Sequence, residues 1–264
     1  MKKTFAIIRR SFITALALVL MLGAVAIPGQ ASGFEDEAWV NNVLTAEPID
    51  TFGIDREKIG TVTFLDSTED APRYCWHMGV GSSSSVKGWV EWSGGFADIY
   101  FAADGGINGE RCTVGMFKDC TNLTAIEFNG AFHTDHCTSM KEMFRGCTSL
   151  RSLDVTDLNT SNVKNMYAMF STCPKLTELD VSGFDTAKVT NMGFMFSACR
   201  RVKELDVSKF DTGKVTNMEG MFRWCNELDG VDVSGWNISR VRTYSNFMND
   251  GMHINGRPWI EFFE

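Results

Sequence analysis

The chain repeats itself at a fixed interval, and this repeat constrains its fold more than any other feature. Met-Phe dipeptides occur five times, each with a cysteine three residues after its Phe. The step between copies is 27 residues once and then 26 residues three times. The cysteines are Cys120, Cys147, Cys173, Cys199 and Cys225. Because several columns agree over all copies, the sequence predicts a solenoid in which each repeat forms one coil and neighbouring coils bury each other.

Each repeat also predicts its own local structure. Leu179 and Val181 alternate with Asp180, the two-residue period of a half-buried strand. Further on, apolar residues at steps of 3, 3, 1 and 3 match one face of a helix capped by Thr190 or Asn191. These apolar residues are Val189, Met192, Met195, Phe196 and Cys199. We therefore predict an α/β repeat fold, a leucine-rich-repeat-type solenoid of about five to six strand-turn-short-helix coils with a small β-rich N-terminal cap.

Four segments are predicted along the chain. Residues 1–31 combine a cationic head, an apolar run and small residues before Ser32, which indicates an export signal for general secretion or the twin-arginine route. A membrane anchor is the alternative, and the apolar run is short for one. A helix and a β-rich capping region are predicted for residues 32–111. The repeats cover residues 112–254, and a C-terminal cap is predicted for residues 255–264.

Charge and motifs exclude several classes of function. Removing residues 1–31 takes away four positive and no negative charges, so the formal net charge moves from −8 to −12. We do not expect so acidic a chain to bind nucleic acid, and anionic lipid would repel it. The sequence contains no phosphate-binding loop, nucleophile elbow or metalloprotease motif. We therefore expect no catalytic residues, no metal, no cofactor, and no integral membrane segment after signal cleavage.

The repeat resembles a known family. The copies at 179–199 and 205–225 both read Leu-Asp-Val-Ser, then Phe-Asp-Thr, then Val-Thr-Asn-Met, and then Met-Phe ahead of the cysteine. This pattern resembles the BspA-like leucine-rich-repeat surface proteins over residues 112–254. The resemblance implies an exported protein that works through contacts with host molecules, other cells or surface polymers, and it implies no defined ligand.

Cysteine and histidine residues suggest two kinds of site. Eight cysteines in an exported chain are typical of disulfides, but the five in the repeat column, and Cys137 in the valine column, are predicted to be buried thiols. Whether Cys75 and Cys112 pair is left open. His133, His136 and Cys137 resemble a metal-binding cluster. Each falls on a repeat column, so the sequence favours a degenerate repeat over a zinc site.

One acidic residue occupies the same outward strand position in every repeat. These residues are Glu127, Asp154, Asp180, Asp206 and Asp232, with Glu178 and Glu204 on the same face or its rim. Two interpretations stay open. The carboxylates are solvated or bond backbone amides as part of the scaffold, or they form an anionic strip for a basic partner or divalent cations. All seven are candidate ligand-binding residues.

Together these features predict a secreted, extracellular and non-catalytic interaction protein. Its partner would be an extracellular protein, a glycan or another cell, bound through the strand face of the solenoid. Attachment to the cell surface, ligand identity and oligomeric state are left open. Two other classes remain as alternatives: an exported hydrolase that acts on wall or host polymers, and a purely structural spacer.

Overall fold

The computed structural model describes residues 52–73, 75–77, 86–109, 113–249, 253–254 and 257–263. All of these residues belong to one compact unit, Glu35–Glu264. The predicted export signal at 1–31 and the predicted helix within 34–44 lie outside the described residues. Within the described ranges, no helix combines the length and the apolar character that a membrane crossing requires.

Short strands make up the regular secondary structure. They are β1 (Ile59–Leu65), β2 (Trp76–His77), β3 (Lys87–Ser93), β4 (Phe96–Ala102), β5 (Ile107–Asn108), β6 (Ala125–Glu127), β7 (Phe132–His133), β8 (His253–Ile254) and β9 (Arg257–Pro258). Two short 3-10 helices, Arg56–Lys58 and Trp259–Phe262, are the only helices in the described part of the chain.

A five-stranded sheet precedes the repeats, in the order β2-β3-β4-β1-β6. The antiparallel hairpin of β3 and β4 turns at Gly94 and Gly95, which both have positive φ, a conformation that glycine adopts without steric cost. β1 runs parallel to both β4 and β6, so β6 joins the sheet to the first repeat. Side chains alternate between the two faces, and Val62 and Phe64 of β1 are fully buried on one of them.

From residue 113 the chain forms stacked coils joined by backbone hydrogen bonds. The N–H groups of Phe117, Phe144 and Phe170 donate to carbonyl groups 25 or 26 residues later, at distances of 2.8, 2.9 and 2.9 Å. Isolated parallel bridges continue this pairing from Asn165 to Asn191 and from Asn191 to Asn217. Each coil thus satisfies its backbone groups through the next coil, which makes the stack one hydrogen-bonded body.

The predicted α/β fold class is wrong, because no coil contains a helix in the described residues. Two residues in each coil have a left-handed backbone: the residue before Met and the residue before Cys, such as Phe194 (φ 56°) and Ala198 (φ 61°). An α-helix requires right-handed residues throughout, so these positions stop it from forming. The N–H groups of Phe194 and Ala198 donate instead to Glu219 and Arg223 of the next coil.

Tight turns explain why the spacing looked helical. The N–H of Met195 donates to the carbonyl of Met192 (3.2 Å), and the N–H of Cys199 donates to that of Phe196 (3.1 Å). Consecutive β-turns that advance by three residues return side chains to one side at steps of three, which imitates the period of a short helix. The later coils are therefore built of isolated bridges and turns, and the strand predicted at 179–181 is not formed in the described residues.

The predicted burial is confirmed. Leu179, Val181, Met195, Phe196 and Cys199 are all buried, with exposed fractions of 0 to 7%. One phenylalanine per coil forms a continuous stack through the core, with ring centroids 5.4–5.7 Å apart and ring planes within 8° of parallel. The stacked residues are Phe117, Phe144, Phe170, Phe196 and Phe222. Phe247 then meets Phe222 edge to face at 84° and contacts Phe263, which closes this end of the core.

Candidate functional site

The acidic column lies on the outer surface of the stack. Glu127 ends β6 and pairs with Thr63 of β1, and one aspartate follows in each later coil. All five carboxylates are exposed, whereas the apolar residues on either side of each are buried. This alternation places one carboxylate outward in each coil, as the sequence predicts. The residues are Glu127, Asp154, Asp180, Asp206 and Asp232.

Each aspartate of the column also closes a turn in its own coil. One oxygen, Oδ1, accepts the N–H of the residue two positions further along the chain, at 2.9–3.0 Å. The donors are Thr156, Ser182, Ser208 and Ser234. The hydroxyl groups of Thr156 and Ser208 donate to the same oxygen at 2.6 Å. These are Asx turns, so the aspartates contribute to the scaffold as well as to surface charge.

The turn bonds favour the ionised form of the four aspartates. The hydroxyl and amide donors lower the pKa of Asp154, Asp180 and Asp206 below the usual aspartate value. At Asp232 the amide of Ser234 lowers the pKa most, followed by its hydroxyl. Neighbouring aspartates oppose this at Asp154, Asp206 and Asp232, where an adjacent carboxylate raises the pKa. The four aspartates are therefore charged at neutral pH.

The two glutamates beside the column differ from the aspartates. Glu178 and Glu204 each stand two residues before an aspartate of the column. Both are exposed, and the residue between is buried in each case, so glutamate and aspartate share one face. A parallel bridge joins Glu178 to Ser152 through the backbone. These glutamates occur in two coils only; Ser152 and Gly230 take the same position in the coils on either side.

The sheet extends the acidic surface beyond the repeats. Burial raises the pKa of the Tyr100 hydroxyl, and the charges of Glu91, Asp98 and Glu127 raise it further. These three carboxylates therefore lie near one side of the sheet, where Trp89 stacks on Tyr100 at 5.1 Å. The sequence pattern does not reveal Glu91 and Asp98, because only the pairing of β1 with β4 brings them beside the repeats.

We call this set of carboxylates the acidic face. It comprises Glu91, Asp98, Glu127, Asp154, Glu178, Asp180, Glu204, Asp206 and Asp232.

A buried threonine in each coil was also missed. The hydroxyl groups of this column donate to carbonyl oxygens 25 residues later, at 3.0–3.1 Å. The residues are Thr134, Thr160, Thr186 and Thr212. Thr160 and Thr212 in addition accept the N–H of Asp185 and Asn237. The repeated Phe-Asp-Thr phrase contained the signal, but periodicity alone cannot separate a buried hydroxyl from a solvent-exposed turn residue.

The cysteines of the repeat column are buried thiols, as predicted. The Sγ atoms of Cys147, Cys173, Cys199 and Cys225 donate to phenylalanine carbonyls of the preceding coil at 3.1–3.2 Å. Burial raises their pKa, for Cys225 to about 12, so the thiols stay protonated. Whether Cys75 and Cys112 pair was left open by the sequence; the structure has Cys75 as a free thiol, and Cys112 lies outside the described residues. No set of three or more metal-binding side chains is found in the described part of the chain.

One family profile matches the chain, at residues 113–204 and 178–258, which together span more than half of its length. The family is described as "Mycoplasma protein of unknown function, DUF285". No curated protein and no solved structure matches the chain.

Proposed function

The chain belongs to the DUF285 family, whose description states no function, and we propose one from the chemistry of the acidic face. The protein is an exported, non-catalytic interaction module that binds a cationic partner along that face. One observation carries this proposal: the exposed aspartates repeat once in each coil, and their turn bonds hold them in place and ionised.

The acidic face combines a summed electrostatic field with side chains that are held in place. Neighbouring coils bonded like parallel strands lie about 4.8 Å apart, so the carboxylates sum to a field that a single one would not produce. Side chains already fixed by turn bonds lose little conformational entropy when a partner binds. Such a surface favours a partner with several amino or guanidinium groups, and its affinity depends on salt.

The extracellular setting of the proposal rests on two features of the sequence. Residues 1–31 have the pattern of an export signal, and the repeats resemble BspA-like surface proteins. A secreted or surface-associated protein meets extracellular proteins and glycans. Among these, the acidic face selects basic proteins and glycans that carry free amino groups.

A structural spacer is the second candidate, and the Asx turns favour it. If the aspartates serve only to close turns, the acidic face is a by-product of the scaffold. The glutamates separate the two candidates, because Glu178 and Glu204 add charge to the face without occupying the aspartate position of the turns.

Binding of a fluorescent oligolysine peptide tests the proposal. We expect the double variant E178Q/E204Q to weaken binding several-fold at low salt, because it removes two charges from the face. The matched control D185N/D211N also removes two negative charges, but in another column. Asn159 and Asn237 occupy that column naturally and close the same turn, so the control should fold normally.

The two variants have distinct outcomes. Weaker binding by E178Q/E204Q alone supports recognition by the acidic face. Equal losses in both variants would show that only net charge matters. No binding by the wild-type chain would leave the spacer as the better account.

A further inference from the structure

A cavity of about 440 Å³ opens on the side of the last coils, in a column separate from the acidic face. Its wall contains three cations, Lys214, Arg240 and Arg242, together with the hydroxyl-bearing residues Thr190, Thr216 and Ser239. Among the residues that the structure describes, no carboxylate lines it. Such a local excess of positive charge contrasts with a chain whose net charge is −8.

The three cations are exposed and available to a ligand. The two ion pairs seen between described residues both end on Glu142, formed by Lys118 and Arg145, and neither involves the cavity. The hydroxyl groups of Thr190 and Thr216 already donate to carbonyls of the preceding coil at 3.1 Å. The cavity lining therefore combines fixed threonines with exposed cations.

Arg242 replaces the threonine of the two preceding coils, whereas Arg240 continues the cationic column of Lys188 and Lys214. Residues 187–190 read Ala-Lys-Val-Thr and residues 213–216 read Gly-Lys-Val-Thr, whereas residues 239–242 read Ser-Arg-Val-Arg. The backbone bond is unchanged: the N–H of Arg242 donates to Thr216 at 2.9 Å, as the N–H of Thr216 donates to Thr190. Because threonine fulfils the same backbone role one coil earlier, the fold does not require arginine here.

We propose that this cavity binds a phosphate or sulfate ester group. A guanidinium group donates two parallel hydrogen bonds to the oxygens of such an anion, and Lys214 adds a compact positive charge. Elsewhere the acidic chain repels anions, so this cluster of cations would be selective for them. The site is independent of the acidic face and of any partner bound there.

Titration of the full chain with inorganic phosphate and with sulfate, followed by amide NMR at low salt, tests this site. We expect saturable shifts centred on Lys214, Arg240 and Arg242, with chloride at equal ionic strength as the reference. The double variant R240Q/R242Q should raise the dissociation constant at least about ten-fold. Both side chains are exposed, so the melting temperature should stay unchanged, and the single variants R240Q and R242Q provide a second measurement.

Lys188 provides a matched control. It occupies the same column one coil before Lys214, but its Nζ donates to Oδ1 of Asn162 at 2.6 Å and it does not line the cavity. The variant K188Q should bind the anions within about two-fold of wild type. An equal loss in K188Q and R240Q/R242Q, or shifts that do not saturate, would overturn the proposal.

A phosphorylated and a sulfated oligosaccharide then identify the source of the group. Tighter binding of one than of its inorganic anion supports that ester as the ligand. If neither binds, the ester assignment is wrong.

Discussion

The N-terminal sheet and the stack of coils meet the same backbone requirement in different ways. In the sheet, β1, β3 and β4 pair through regular ladders, and the outward side chains are not needed for that pairing. In the stack, left-handed residues and turns interrupt the ladder. Repeated Thr and Cys side chains add hydrogen bonds between coils, and repeated Asp side chains close turns within each coil. Repeated polar residues in the stack therefore serve the scaffold as well as the surface.

The hydrophobic cores of the two regions should lose similar stability when a buried phenylalanine is replaced. Replacing Phe196 in the stack or Phe101 in the sheet by alanine should each cost about 3–5 kcal/mol, because both rings are buried among other rings. Denaturant unfolding measures this free energy. Phe194, half-buried in the same coil as Phe196, is the control, and its replacement should cost about 1 kcal/mol. A loss as large for Phe194 as for Phe196 would show that the ring stack is not the core.

Replacing a threonine should cost more stability in the stack than in the sheet. Thr186→Val in the stack should cost about 1–3 kcal/mol, because the carbonyl of Asp211 loses its hydroxyl donor in a buried position. Thr63→Val in β1 should change the unfolding free energy by less than about 0.5 kcal/mol, because the strand pairs through its backbone and valine suits a strand. Similar losses of unfolding free energy for both variants would contradict a special role of the threonine hydroxyls in the stack.

Substitutions at the left-handed positions of the stack should raise stability at one site and lower it at another. Thr172 is exposed and has φ 61°, which is costly for a β-branched residue, so Thr172→Gly should stabilise the chain by about 1 kcal/mol. Gly220→Ala should do the opposite, since its Cβ would lie 2.5 Å from Cε1 of Phe194 at a φ of 56°. Thermal melting checks both variants. Destabilisation by Thr172→Gly would show that the side chain contributes more than the backbone strain costs.

Acid should weaken the stack through its aspartates. The folded-state pKa of Asp154, Asp180, Asp206 and Asp232 lies below the ordinary value of about 3.9. The stability they contribute is therefore present above that value and is lost as the pH falls through the lower folded pKa. Urea midpoints measured between about pH 5 and pH 2 should fall, and D180N/D206N should flatten that dependence. An unchanged slope would contradict the turn bonds.

The sequence predicted which repeat positions are buried, but it predicted the wrong local backbone conformation. The 26-residue period is close to the spacing of the observed coil-to-coil bonds, and Met195, Phe196 and Cys199 are buried as predicted. The helix prediction failed because turns of three residues share the helical spacing. Gly115 and Gly220 occupy a left-handed column and were the available signal, but Phe194 in the same column concealed it.

The site was partly predictable for a similar reason. The strand period places Asp180 outward, so the exposure of the column follows from alternation alone. Its turn bond depends on the backbone between Asp180 and Ser182, which a pattern does not specify. The pairing of Thr61 with Asp98, which brings the sheet's carboxylates beside the stack, joins residues far apart in a segment that does not repeat.

Thermal melting of D180A/D206A beside E178A/E204A separates the role of the aspartates in the scaffold from their charge. Both variants remove two negative charges from the acidic face, but only the first removes the side-chain oxygens that close turns. We expect a lower melting temperature for D180A/D206A and an unchanged one for E178A/E204A. If D180A/D206A melts at or above the wild-type temperature, relief of charge repulsion outweighs the turn bonds, and the repeated aspartates are not part of the scaffold.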